Sequence, residues 1–180
     1  MIINGGSTGV GIESTVLDLS GDIPMILRPG AVTKEDLKEI ISNIEVDSSI
    51  ISSDENIIPK SPGQKYKHYA PNAEMIVFTG EIDNIIDTIN KEIIEYRKKG
   101  KKTGIMCTDE TKDYYKDVLS LSLGSRKRPE TISHNLFNIL RIMDEENVDI
   151  ILAEGIEISN IGLAIMNRMM KASSGRVIRT

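Results

Sequence analysis

Glu74-Met75-Ile76-Val77-Phe78-Thr79-Gly80, followed by Ile82, Ile85, Ile86, Ile89, Ile93 and Tyr96 and then by Thr103-Gly104-Ile105-Met106-Cys107, decides the fold. Met75–Phe78 is a short, wholly apolar run with a β-branched pair, as expected of a strand buried on both faces. The isoleucines that follow recur at helical spacing, and Lys98-Lys99-Gly100 places cations and a glycine where a helix ends. Thr103–Cys107 is a second buried strand. Strand, helix, strand in that order implies a right-handed crossover and a parallel sheet.

The same alternation continues to the end of the chain. Residues 109–116 read as a short helix and Val118–Leu123 as an alternating strand. Pro129 opens a helix running to about Glu146, with Leu136, Ile139, Leu140 and Met143 on one face. Asp149–Ala153 is a strand, Ile161–Ala172 a helix and Arg176–Ile178 a final strand. The expected fold over 74–180 is therefore α/β, a Rossmann-like three-layer domain with a parallel sheet.

Upstream the pattern differs. Gly5, Gly6, Gly9 and Gly11 fall within seven positions, a loop whose backbone can approach a ligand closely. It is not a dinucleotide fingerprint, because no useful strand precedes it and no helix follows. Ser14–Leu19 and Pro24–Arg28 read as two strands of a hairpin around Ser20-Gly21-Asp22. Thr33 caps a helix from Lys34 to about Ile41, with Asp36 favouring its N-terminus. A hairpin and one helix, about 45 residues, cannot bury enough surface to fold alone. This piece either packs on the following domain or ends a larger one. Residues 42–60 are a linker or a short strand.

Between the two lies Ser61-Pro62-Gly63-Gln64-Lys65-Tyr66-Lys67-His68-Tyr69-Ala70-Pro71. Its prolines and glycine make it a connector. No acid falls between Glu55 and Glu74, while Lys60, Lys65 and Lys67, two tyrosines and His68 do. That is the inventory of a nucleotide-contacting loop, and equally of a basic loop lying on an acidic surface.

The totals limit the function. The net charge of −5 argues against broad nonspecific nucleic-acid binding. A lone Cys107 cannot form an internal disulfide, which fits a reducing cytoplasm. No apolar run approaches the roughly 20 residues of a membrane span. Two distant histidines and one cysteine match no zinc spacing, and no catalytic Ser-His-Asp or Cys-His grouping stands out. Ser14 can hydrogen-bond a polar substrate or simply satisfy a turn. The Arg28 fork suits a phosphate or carboxylate, or a surface ion pair. Arg126-Lys127-Arg128 reads as a solvated loop, His134 as structural or exposed, Cys107 as core and Glu145-Glu146 as a solvated helix end.

Three ordered stretches resemble the long form of threonylcarbamoyl-AMP synthase: Gly11-Ile12-Glu13-Ser14-Thr15-Val16-Leu17-Asp18, Ile26-Leu27-Arg28-Pro29-Gly30, and the connector Ser61–Pro71. A fourth, Gly162–Ala172, resembles the end of that family's C-terminal domain. The resemblance implies a division into residues 1–45 as the end of a YrdC-like catalytic domain, 46–73 as linker and 74–180 as the Rossmann-like domain. It implies a nucleotidyltransferase that condenses L-threonine, bicarbonate and ATP, with Mg2+ accompanying ATP, into threonylcarbamoyl-AMP and pyrophosphate for tRNA modification. Ser14 is implied to contact threonine, and Arg28, Lys65, Tyr66, His68 and Tyr69 to contact ATP. No residue of this stretch is implied as catalytic or as a metal ligand.

Most of the YrdC-like portion, with its basic residues and Ser-Ala-Asn segment, has no counterpart here. Asn4 stands where the family has Asp, Gln64 where it has Met and Lys67 where it has Arg. The chain is thus expected to be a C-terminal portion, inactive alone, whose partners are the missing N-terminal portion and downstream tRNA threonylcarbamoyl-transfer proteins, with weak RNA contact as a further possibility. Other expectations are a regulatory Rossmann-like module that binds a small molecule or a partner, or an RNA-contacting module using Lys60, Lys65, Lys67 and Arg126–Arg128.

Overall fold

The computed structural model describes residues 1, 3, 6, 8–50 and 70–180. The connector residues Lys65, Tyr66, His68 and Tyr69 lie outside the described residues.

Residues 74–180 form the expected three layers. The strands β4 (Glu74–Thr79), β5 (Thr103–Cys107), β6 (Leu119–Ser122), β7 (Ile150–Glu154) and β8 (Val177–Arg179) make one sheet in the order β6-β5-β7-β4-β8. Every neighbouring pair is parallel. The pleat sends alternate residues of each strand to opposite faces. Ile76, Phe78, Ile105, Cys107 and Leu152 pack against the isoleucines of α2 (Ile82–Lys98). Met75, Val77, Met106, Ile151 and Ala153 pack against α3 (Pro129–Glu145) and α4 (Ile161–Ala172). The central strands β5 and β7 are buried at all their residues, which is why Ile105–Cys107 and Ile150–Ala153 read as apolar runs.

The N-terminal piece is a second, small sheet in the order β1-β2-β3: β1 (Val16–Asp18), β2 (Met25–Arg28) and β3 (Glu45–Val46). The hairpin expected from the sequence is present, antiparallel, with Leu17 opposite Ile26 and a register irregularity at Val16/Leu17. Of the two readings of 42–60, the described part takes the strand. Glu45 and Val46 pair in parallel with Met25 and Ile26. The helix α1 (Lys34–Lys38) is capped as expected: the Asp36 N–H donates to Thr33 Oγ1 at 3.1 Å and the Thr33 N–H to Asp36 Oδ2 at 2.8 Å. The small core holds Ile26, Ile44 and Ile50, and Leu163 of α4 packs against it.

Elsewhere the expectations shift by a residue or a turn. The short helix expected over 109–116 is a single 3-10 turn, Lys112–Tyr114. Strand β7 runs one residue further than expected and takes in Glu154.

Candidate functional site

The residues preceding β1 are fixed from two sides. Gly11 has φ +78, and an added Cβ would stand 2.6 Å from His134 Cα, so only glycine lets the chain pass α3 here. Beside it Ser133 Oγ donates to Val10 O at 2.8 Å. On the other side Gly30 backs onto the Glu13–Thr15 backbone, where any Cβ would collide with Glu13 O and Thr15 N. Thr15 Oγ1 donates to Val32 O at 2.6 Å. The stretch between is held in a narrow slot.

Ser14 and Arg28, both singled out from the sequence, meet in that slot. Arg28 Nε donates to Ser14 O at 2.9 Å and its Nη2 to Ser14 Oγ at 3.1 Å. The hairpin register does this: Val16 is paired with Arg28, and Ser14 lies two residues further along. Ser14 is exposed and Arg28 half-buried, so both are open to a ligand on that side.

Three residues of this cluster were not identified from the sequence. Arg168 Nε donates to Glu13 Oε2 at 2.8 Å, and its side chain is only 6% exposed. Burial works against the Glu13 carboxylate, but Arg168, the Glu13 backbone N–H and Arg28 outweigh it and hold the pKa below the usual range. Lys171, one turn along α4, keeps a buried Nζ with no hydrogen-bond partner among the described residues. Burial, with Arg168 and Arg28 nearby and against the pull of Glu13, pushes its pKa down to about 8. The available signal was Asn167-Arg168 and Lys171 inside an otherwise apolar helix, Ile161–Ala172.

A second polar cluster corrects one expectation. Arg126-Lys127-Arg128 is not simply a solvated loop: Arg126 Nη2 meets Glu154 Oε2 at 2.9 Å, and Glu154 is fully buried. The Tyr115 hydroxyl donates to Glu154 Oε1 at 2.6 Å and Thr108 Oγ1 to Oε2 at 3.1 Å. The cluster closes the carboxyl ends of β5 and β7. Cys107 is core, as expected, and burial pushes its thiol up to about 12. Among the described residues no group of three or more His, Cys, Asp or Glu side chains could hold a metal ion, and no helix is long and apolar enough to cross a membrane.

Residues 32–174 match the family described as threonylcarbamoyl-AMP synthase, C-terminal domain. The chain belongs to this family. It is 44% identical over 178 residues to the threonylcarbamoyl-AMP synthase of Bacillus subtilis and 41% identical to that of Pyrococcus abyssi. Each match takes in 99% of this chain and 50% of the relative, so the chain spans about half the length of the curated relatives it matches. A crystal structure of P. abyssi Sua5 complexed with L-threonine superposes with a TM-score of 0.87 at 39% identity, over 98% of this chain and 50% of that one. The C-terminal Sua5 domain from Pyrococcus horikoshii gives a TM-score of 0.51 at 36% identity, covering 62% of this chain and all of that one.

Proposed function

We propose that this chain is the C-terminal portion of an L-threonylcarbamoyladenylate synthase and supplies one wall and the lid of its active site. The observation that carries the reading is the likeness over 98% of the chain, at TM-score 0.87, to a protein crystallised with L-threonine. The adjacent hydroxyl and guanidinium of Ser14 and Arg28 support it.

In this reading the threonine amine and bicarbonate condense with loss of water to a carbamate, whose oxygen attacks the α-phosphorus of ATP and expels pyrophosphate. Magnesium enters with ATP as part of the substrate. The chemistry asks the protein for positioning and charge neutralisation more than for covalent help. The Ser14 hydroxyl contacts threonine and the Arg28 fork contacts the nucleotide's phosphates. Lys65, Tyr66, His68 and Tyr69 cover the ATP and keep water from a reactive mixed anhydride. A variant of P. abyssi Sua5 with an adjacent histidine and tyrosine both changed to alanine has also been solved, at 38% identity to this chain. His68-Tyr69 is the one His-Tyr dipeptide of this chain, which supports reading that pair as the lid's working residues. The adenylate then passes, in the cytoplasm, to proteins that transfer the threonylcarbamoyl group to tRNA.

The test is pyrophosphate release from ATP that depends on both threonine and bicarbonate. We expect none from this chain alone and measurable turnover when it is mixed with a separately produced N-terminal YrdC-like half. Silence from a mixture whose halves are both folded refutes the proposal. Release by the chain alone refutes its dependence on the other half.

A further inference from the structure

The segment carrying Ser14 is held largely from outside its own sheet. Val10 accepts from Ser133, Gly11 lies against the His134 backbone and Glu13 is paired with Arg168. Arg168 Nη1 also donates to Asn167 Oδ1 at 3.1 Å, and Asn167 Nδ2 donates to Ile50 O at 2.9 Å. One turn of α4 thus grips the small unit both at Glu13 and at Ile50. Glu13 is bonded directly to Ser14, whose carbonyl and hydroxyl receive the Arg28 fork. Any movement of Glu13 displaces both partners of that fork.

The Arg168–Glu13 pair is only part-buried, Arg168 at 6% and Glu13 at 31% exposure, and its net contribution to stability is modest. Replacing a buried ion pair by well-packed apolar residues is often neutral or stabilising, because desolvation offsets the attraction. What apolar packing does not supply is direction. A planar guanidinium with one donor on Glu13 and another on Asn167 fixes the carboxylate in a single orientation. We infer that Arg168 is a positioning residue for L-threonine: acting through Glu13, it sets where Ser14 stands, so the Rossmann-like unit tunes a substrate contact that it does not itself make. The inference rests on the proposed function for its substrate.

Two readouts separate the two ideas. In this chain alone, Arg168→Met is expected to speed backbone amide exchange across residues 10–16 by about tenfold or more, with β4, β5 and β7 unchanged. In the two-part mixture the same variant is expected to raise the KM for threonine by about tenfold and to change kcat by less than about twofold, because a misplaced contact weakens binding before it alters the chemistry. Arg168→Lys restores a cation opposite Glu13 and is expected to recover most of the KM. If Arg168→Met does not fold, Glu13→Gln keeps an acceptor oxygen without the charge and is expected to raise KM by about threefold. An active mixture in which threonine KM ignores these changes overturns the inference and leaves the proposed function standing. A mixture with no activity at all defeats the proposed function; exchange at 10–16 then decides the inference, and an unchanged rate overturns it.

Discussion

Replacing Arg126 with methionine removes one guanidinium from a carboxylate that has no access to water. Glu154 ends β7 with 0% exposure and three donors: the Tyr115 hydroxyl at 2.6 Å, Thr108 Oγ1 at 3.1 Å and Arg126 Nη2 at 2.9 Å. Burial and the neighbouring Glu154 push the Tyr115 pKa far above its ordinary value, so this phenol remains a donor throughout the working pH range. Methionine fills the stem of Arg126 but leaves Glu154 without that cation. Breaking a buried pair from one side costs roughly 3–5 kcal/mol. The Arg126 side chain is 26% exposed, so water takes up part of the loss, and two donors remain. The expected destabilisation is about 2–3 kcal/mol. Urea unfolding followed by far-ultraviolet circular dichroism measures it, since the chain has no tryptophan to report. Adding Glu154→Met to Arg126→Met removes the stranded charge, so the double variant is expected to be less destabilised than the sum of the single ones by about 1 kcal/mol or more. A loss below about 0.5 kcal/mol for Arg126→Met, or strict additivity, would refute the argument that Glu154 is a buried charge dependent on Arg126.

Lys171→Met is expected to raise the urea midpoint at neutral pH, because it removes a desolvated ammonium that has no hydrogen-bond acceptor among the described residues. The sign with pH follows from the folded pKa of about 8 against an ordinary 10.5: between these values the unfolded chain binds more protons, so wild-type stability rises with pH, and the variant lacks that rise. Gly30→Ala drives a methyl group into Glu13 O and Thr15 N, both backbone atoms, and is expected to cost about 1–3 kcal/mol. Amide exchange should place the damage in β1 and β2. Cys107, buried and with its thiol near 12, is expected to resist iodoacetamide in the native protein and to react at once in urea; native-state alkylation measured by mass spectrometry would contradict its placement in the core.

The Rossmann-like unit was legible because its signals are local. Period 3.6 in Ile82–Tyr96 and apolar runs at Met75–Phe78 and Thr103–Cys107 need no knowledge of distant partners. The third strand of the small sheet was only half legible, since two residues, Glu45-Val46, carry no period and become a strand by pairing with β2. Ser14 and Arg28 could be singled out by chemistry, but their mutual hydrogen bonds depend on hairpin register. Arg126 was misread because a short basic run is ordinarily solvated, and its partner Glu154 sits 28 residues away. Glu13 and Arg168 are 155 residues apart, so nothing in either local sequence announces the pair.

That distance also explains how the small unit is kept in place. Its core of Ile26, Ile44 and Ile50, with Leu17, Leu37, Ile41, Val46 and Leu163 of α4 packed against it, is too small to stabilise a fold by burial alone. Its other ties include three hydrogen bonds, Ser133 to Val10, Arg168 to Glu13 and Asn167 to Ile50, beside the packing of Gly11 on His134. A junction that includes several directional hydrogen bonds resembles an inter-domain contact. Such a junction contributes modest stability but a defined geometry, since each hydrogen bond has a short distance range and a preferred angle. Changes at Arg168 are therefore expected to show first in the position of residues 10–16 and only second in the unfolding midpoint, the reverse of the order expected for the Arg126–Glu154 pair at the carboxyl end of the sheet.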